Sequence, residues 1–386
     1  MLNGATPPAG FDTLLNMSGT QLTNALAQAS GEGGNGATQQ TAHTSTNQFI
    51  GTILDPSIDG RGGDAGGGAS GYADEGSDAL AYAGRRKATQ SERDAYAAVT
   101  PRETVAGRWS VWASGYGGSS SVDGNAAAGT HSTSSSIYGT AVGADYRVGR
   151  DTFIGVAMGG AGTSFSTAQG LGSGRADLFQ LGVYGRHNIG AAYIAGALAY
   201  GWQDVTLDRT VTIAGADRLR ANFNTNTFAA RAEAGYRFVT GLMGVTPYAA
   251  LQVTTVHLPS YAEAAVSGSN QFALAFASDN STNVRSELGL RGDKAFAMRD
   301  GTLTFRGRAA WAHDSNTDRA ISPTFQALPG ASFTVNGARP SPDGALLTAG
   351  AEMKWRNNWS LAGTFEGEFS RTTESYAGKG TVKYAW

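Results

Sequence analysis

From residue 231 onward, charged side chains recur at two-residue spacing, and that spacing is what could do chemistry. Arg231, Glu233 and Arg237 share one parity. So do Arg285, Glu287 and Arg291, then Arg306 with Arg308, Glu352 with Lys354, Glu366 with Glu368, and Lys379 with Lys383. In an extended chain, residues two apart point the same way. Each group therefore sets its charges on one face, with both signs on neighbouring segments. Two chemistries follow. Glu233, Glu287, Glu366 and Glu368 could exchange protons as general acids and bases in a confined wet space. Alternatively they balance the arginines that share their face, which asks less of them.

Other motifs carry less. "GEGGNG" (31–36) fits G-x-G-x-x-G, but no strand precedes it and no acidic residue follows in the right context. "DGRGGDAGGG" is one imperfect Gly-Asp repeat and reads as linker. No G-x-S-x-G elbow, H-E-x-x-H pair or P-loop occurs. The histidines at 43, 131, 187, 257 and 313 are scattered, and His313 with Asp314 reads as a pair at a strand end. With no cysteine, disulfides, thiolate metal sites and thiol nucleophiles are excluded. A net charge of −2 gives nucleic acid no electrostatic footing. No catalytic, cofactor or metal site is assigned, and the chain reads as a non-enzyme.

The elements that position these charges change character along the 386 residues. Gly is abundant at 55 residues and disfavours long helices. The longest apolar run, "IGAAYIAGALAYGW" (189–202), falls short of the roughly 20 residues of a membrane helix. A transmembrane barrel has a far weaker signal per strand and stays open. Before residue 107 the spacing is helical. In "SGTQLTNALAQAS", Leu22 and Leu26 lie one turn apart, and Ser18 with Gln21 suits a capping box. Ala42, Phe49, Ile50, Ile53 and Leu54 share a face until Pro56 stops the run. Residues 59–78 read as a Gly-rich linker, and 91–99 as a weaker helix before Pro101. "MLNGATPPAGFDTLL" has neither a basic n-region nor an apolar h-region.

From about 107 the period is two. Phe228–Phe238, Val284–Arg291, Leu303–Trp311, Leu347–Trp355, Trp359–Ser370 and Tyr376–Trp386 alternate clearly. Segments near 107–117, 136–148, 151–163, 175–188, 191–204 and 245–257 complete the set, with less regular alternation in the first and third. This gives twelve strands of roughly 10–15 residues, where globular strands have about 5–6. Long and short connections largely alternate, and both ends of the segment fall on the short-turn side. Trp311, Trp355, Trp359, Phe369, Tyr376 and Trp386 sit toward strand ends on the uncharged face, like interfacial girdles. The expected fold is all-β: a 12-stranded antiparallel up-and-down transmembrane β-barrel with an N-terminal helical and linker segment. Its charges face a wet lumen. A soluble β-sandwich has no reason to segregate loop lengths this way.

"VWASGYGGSSSVDGN", "GTAVGADYRVGRDTFIGVAMG", "YIAGALAYGWQDVTLDR", "RAEAGYRF", "SELGLR", "FTVNGARPSPDGALLTAGAE" and the closing "YAW" resemble the C-terminal β-domain of monomeric type V autotransporters. The resemblance is nearest to those of Bradyrhizobium-like α-proteobacteria and covers about 107–386. It implies an outer-membrane translocator with a polar lumen, through which an N-terminal passenger reaches the cell surface. It also implies periplasmic barrel termini, extracellular long loops and a helix in the lumen. Expected partners are outer-membrane lipid and lipopolysaccharide, the barrel-assembly machinery, periplasmic chaperones and the protein's own passenger segment; the barrel is expected to act as a monomer without nucleic acid. Some members cleave their own linker at an Asn-Asn pair. Here Asn357-Asn358 lies in a turn, which leaves that activity unsupported.

Three divisions follow: 1–58, a passenger remnant with short helices; 59–106, a linker with a candidate lumen helix at 79–100; and 107–386, the barrel. Residues 40–55 have the better helical pattern, whereas 79–100 lie closer to the first strand and are more polar, which favours them as the lumen segment. The last strand should pair with the first near Trp109 and Val111. Lys379 and Lys383 should face the lumen, balanced by Glu366 and Glu368. Val382, Tyr384 and Trp386 stand where the family carries its assembly signal. The alternatives are a passive porin-like channel, or a fragment of a surface adhesin or esterase whose active passenger is absent. Because an outer-membrane protein must first be exported, the missing signal peptide favours a C-terminal fragment.

Overall fold

The computed structural model describes Pro8, residues 10–55 and residues 108–386. Two-residue alternation, β-branched and aromatic side chains and tight turns produce twelve long antiparallel strands. They are β1 (Trp109–Val122), β2 (Thr133–Arg147), β3 (Thr152–Thr167), β4 (Gly172–Ile189), β5 (Ala192–Val211) and β6 (Asp217–Tyr236). The rest are β7 (Gly244–Leu258), β8 (Asp279–Met298), β9 (Gly301–Asp314), β10 (Asp343–Trp355), β11 (Trp359–Ser370) and β12 (Thr373–Ala385). Each pairs with its sequence neighbours, and β12 returns to β1. The seam runs from Ser110 opposite Ala385 to Val122 opposite Thr373, with Val111 opposite Tyr384. Closure leaves no long edge to aggregate.

Some aromatics on the inner wall are seated on glycine. A methyl group on Gly155 would come within 2.3 Å of the Tyr184 ring. Tyr184 cannot retreat, because its hydroxyl donates to Asp145 (2.5 Å) and accepts from the Trp112 indole N–H (2.9 Å). Gly155→Ala is therefore expected to destabilise the barrel by about 1–3 kcal/mol. A lowered urea midpoint of the purified protein would show it.

Three helices precede the barrel: α1 (Phe11–Leu15), α2 (Gly19–Ser30) and α3 (Asn35–Ile53). The helix inside the barrel is α3. Its Phe49, Ile50 and Ile53 are fully buried against Trp112, Tyr116, Ile137 and Tyr184. Ala42, on the same predicted face, is buried against Val256 and Leu258. The other lumen candidate, 79–100, lies outside the described residues, as do the linker 59–78 and the stretch 91–99. Ser18 is the N-cap of α2, but its side chain makes no capping hydrogen bond, so the expected capping box does not form. The Leu22/Leu26 face is not the buried one either: Leu26 is exposed, while Ala25 and Ala29 are buried. That face lies against Val211, Ile213, Leu219 and Phe272, where methyl groups suffice.

Several strands run further than the sequence suggested, and the hydrophobic phase flips within them. On β5, Ile194, Leu198 and Trp202 are exposed on the outside, and Tyr193, Ala197 and Gln203 are buried inside. Past Asp204 the outward residues become polar, and the inward ones become Val205 and Leu207, both buried. On β4, outward Phe179 gives way to Asp177 and Arg175, while inward Gln180 gives way to Leu178 and Ala176. On β6, outward Phe228 gives way to Asn224 and Asn222, and inward Thr225 to Phe223 and Leu219. A lipid-type belt therefore ends at one level, and the strands continue as the wall of a water-facing globule. This shortens the connections at 123–132, 168–171 and 212–216. The two that stay long, 259–278 and 315–342, fold back over the mouth. They supply a small sheet of Tyr261–Ala262, Leu274–Phe276 and Pro323–Phe325.

Candidate functional site

The lumen has two unlike walls. Where β1–β5 meet the C-terminal half of α3 the inner face is largely aromatic or small, with Trp112, Tyr116, Ala141, Ala157, Tyr184 and Ala197 in one cluster with Phe49, Ile50 and Ile53. On β6–β12 the inner face carries ions. Beside α3 lies a polar cavity of about 440 Å³.

Paired charges organise the ionic wall. Arg231 grips Glu287 with two bonds of 2.8 Å and also reaches Glu233 at 3.1 Å. Arg291 forks onto Glu233 and donates to the Tyr193 hydroxyl at 2.7 Å. Tyr193 in turn donates to Glu233 at 2.8 Å, and Tyr248 to Glu287 at 3.3 Å. Arg285 takes Glu368 at 2.8 Å and Asp314 at 3.1 Å, and passes Glu287 at 3.7 Å. Arg308 holds Glu366, and Arg306 holds Glu352. Nearer the short-turn end, Arg237 meets Asp293 at 2.5 Å. Lys354 is exposed at that end, opposite Ser360 on β11. Paired this tightly, the carboxylates serve as counter-ions and are poor proton shuttles.

Two of the expected pairings differ. Lys379 binds Asp55, just past the C-terminus of α3, and donates to the Gly51 carbonyl at 3.3 Å. Lys383 reaches Asp145 on β2 at 3.4 Å. Glu366 and Glu368 do not balance them. They stand opposite Ala377 and Ser375, while the lysines stand opposite Thr364 and Ser360, so register brings each carboxylate to an arginine instead. His313 and Asp314 are likewise not a pair. Successive strand residues face opposite ways, so His313 meets Asp343 at 2.9 Å and Asp314 turns inward to Arg285.

Sequence reasoning also missed members of the site. Asp293 continues the parity of Arg291 and could have been found that way. Tyr193 and Tyr248 gave no such signal, since neither has a charged neighbour at spacing two, whereas Asp145 shares its parity with Arg147 and could have been found that way. Arg319, in the 315–342 connection, is buried and donates to the Gln40 side chain at 2.9 Å and the Asp318 carbonyl at 2.7 Å. Burial is the larger influence on it and pulls its pKa down to about 10, so it stays charged at neutral pH.

The helix is polar without being charged. Thr38, Thr41, Ser45, Thr46 and Thr52 each donate their hydroxyl to their own helix's carbonyl one turn back, at 2.6–2.9 Å. Buried hydroxyls are thus satisfied without the wall. The wall adds only a few ties, such as Gln39 to Asp279 (3.0 Å) and Gln252 to Asn47 (2.6 Å).

On the outer wall, Trp311, Phe369 and Tyr376 gather toward the long-loop end, and Trp355, Trp359, Tyr384 and Trp386 toward the short-turn end. Tyr376 packs edge-on against Phe369 (5.5 Å), and Tyr384 lies 5.0 Å from Trp359 and 5.8 Å from Trp386. Val382 and Trp386 are exposed on this face. The Asn357-Asn358 pair sits in the β10–β11 turn, where Asn358 adopts φ 68° and Asn357 accepts from the Trp359 N–H. No group of three side chains able to hold a metal ion occurs among the described residues.

A closed twelve-stranded barrel with a lipid-type outer belt, an ionic inner wall and an N-terminal helix in its lumen defines an outer-membrane translocator unit. Residues 111–366 match the family model described as "Autotransporter beta-domain", and the chain belongs to that family. Its fold is similar to the translocator domain of autotransporter NalP from Neisseria meningitidis, with TM-score 0.59 and 16% identity over 76% of this chain and 93% of that one. It is also similar to the β-domain of the Bordetella autotransporter BrkA, with TM-score 0.55 and 16% identity over 72% of this chain and 100% of that one. An extracellular serine protease of Serratia marcescens is 28% identical over 292 residues. That match takes in 74% of this chain but only 27% of the protease, so this chain spans about a quarter of that relative's length. The protein is an outer-membrane barrel that serves passenger translocation.

Proposed function

We propose that the barrel carries its own N-terminal portion to the cell surface, with its long loops extracellular and both strand termini periplasmic. One observation supports this most. The chain crosses the barrel: α2 touches the β5–β6 tip through Gln28 and Thr212, whereas β1 begins at the opposite end, where Trp109 pairs with Trp386. The described residues N-terminal to α3 thus lie on the long-loop side. The self-satisfied hydroxyls of α3 suit a segment that passes without leaving those hydroxyls unpaired.

The chain's own work is transport, not catalysis, and the activity lies in whatever it exports. Its lineage by motif is among Bradyrhizobium-type autotransporters. The ionic residues named above act as the wet lining of the path, and the outer aromatics seat the belt among lipid headgroups, lipopolysaccharide included. The barrel acts as a monomer. Periplasmic chaperones deliver the chain, and the barrel-assembly machinery reads Val382, Tyr384 and Trp386 on the last strand.

Single-channel recording separates this reading from a passive porin. The whole chain is expected to be almost silent, and deletion of residues 1–100 to open a steady pore. A large conductance that the deletion leaves unchanged would sink the plugged-translocator reading.

A further inference from the structure

We propose that the long-loop end of the barrel is a receptor for residues 10–34, and that this docking holds α3 in the lumen independently of the covalent link to β1. The phase flip supplies the receptor. Above the lipid belt, the inward faces of β5 and β6 present Val211 and Leu219 with Ile213, and the 259–278 connection adds Phe272. Ala25 and Ala29 of α2 are buried on this surface, and the Phe11 ring of α1 lies 4.9 Å from Phe272 and 5.1 Å from Phe325. An isolated helix as short as α2 is marginal in water, so its order comes from the receptor.

A buried ion pair couples the parts. Arg209 of β5 forks onto Glu263, with Nε to Oε1 at 3.0 Å and Nη2 to Oε2 at 2.5 Å. The same guanidinium donates to the Phe272 carbonyl at 2.8 Å and, through Nη1, to the Gln28 carbonyl at 2.7 Å. Gln28 lies in the last turn of α2, where carbonyls lack helical partners and a cation is favoured. The Gln28 side chain accepts from both the N–H and the hydroxyl of Thr212 at 3.0 Å. Beyond α2, Glu32 accepts from the His131 N–H at 2.6 Å and lies 2.7 Å from its ring Nδ1. Residues 28–32 thus add their own polar ties to those that α3 makes through Gln39, Gln40, Asn47 and Gly51, while the hydroxyls of α3 mostly serve their own helix.

The proposal rests on the translocator reading only for which side faces outward, and its test uses purified protein, where export plays no part. A protease site is placed within residues 59–78, and the cut is confirmed by denaturing electrophoresis. The stub is expected to stay with the barrel through gel filtration. Ala29→Lys alters only the stub and should speed its release about a hundredfold, because a charge forced into that interface is left unpaired. Arg209→Ala should release it comparably, and heat-modifiable migration reports that the barrel itself is intact. Release from the unaltered protein as fast as from Ala29→Lys would overturn the proposal. So would equal retention of a stub lacking residues 8–30.

Discussion

Replacing Glu287 with alanine is expected to cost the assembled barrel about 3–5 kcal/mol. Glu287 is buried and accepts both arms of Arg231 and the Tyr248 hydroxyl, with Arg285 and Arg308 at 3.7 and 3.9 Å. Without it, three guanidiniums share a low-dielectric wall with one fewer anion. Arg231 keeps Glu233, but Glu233 is already committed to Arg291 and Tyr193. Glu366→Ala is the control. Its side chain is 37% exposed, so solvent screens the loss and the cost should stay within about 1 kcal/mol. Urea unfolding of the purified barrel, read by heat-modifiable migration, would distinguish them. Equal effects would mean that the ionic wall is solvated throughout and carries no specific network.

Much of this wall could be read in the sequence because its charges lie on strands whose two faces differ. Arg231 with Glu233, and Arg285 with Glu287 and Arg291, stood out because the residues of the other parity around them, Ala230, Ala232, Val284, Leu288 and Leu290, were apolar. The first and third strands looked irregular for a physical reason. The inner faces of β1 and β3 meet α3, so Trp112, Tyr116 and Ala157 point inward while Val111, Val156 and Met158 point outward. With two apolar faces, alternation loses its contrast. The strand ends failed for a related reason. A pattern of fixed phase stops at Asp204 on β5, although the backbone ladder continues to Val211 opposite Asp217. What changes there is the environment outside the wall, from lipid to water. The same blindness concealed the receptor for α2, because Leu22 and Leu26 marked the apolar spacing while the buried residues are Ala25 and Ala29. The polarity argument for a lumen segment assumed a uniformly wet lumen, but the wall that receives Phe49 and Ile53 is apolar.

Deletion of Trp386 is expected to cut outer-membrane insertion severely while leaving the assembled barrel nearly as stable as before. Folded, the residue does little. It is 51% exposed, and its backbone exchanges two hydrogen bonds with Trp109 at the rim, of 2.9 and 3.2 Å. Losing them costs about 1–2 kcal/mol beside a seam that stays paired from Ser110 to Val122. The contrast is Lys383, three residues earlier. It is buried and bridges from β12 past β1 to Asp145 on β2, so this bridge forms only once the seam has closed. Lys383→Ala removes that ammonium from the Asp145 carboxylate, to which Tyr184 still donates at 2.5 Å. That variant should insert normally and unfold at lower urea. Opposite phenotypes would place recognition and closure on different side chains of one strand: an exposed aromatic for the assembly machinery, and a buried cation for the finished barrel. Pulse-labelled membrane fractions measure the first and urea titration the second. Normal insertion of the Trp386 deletion would remove that residue from the signal and leave it as a lipid-interface anchor alone.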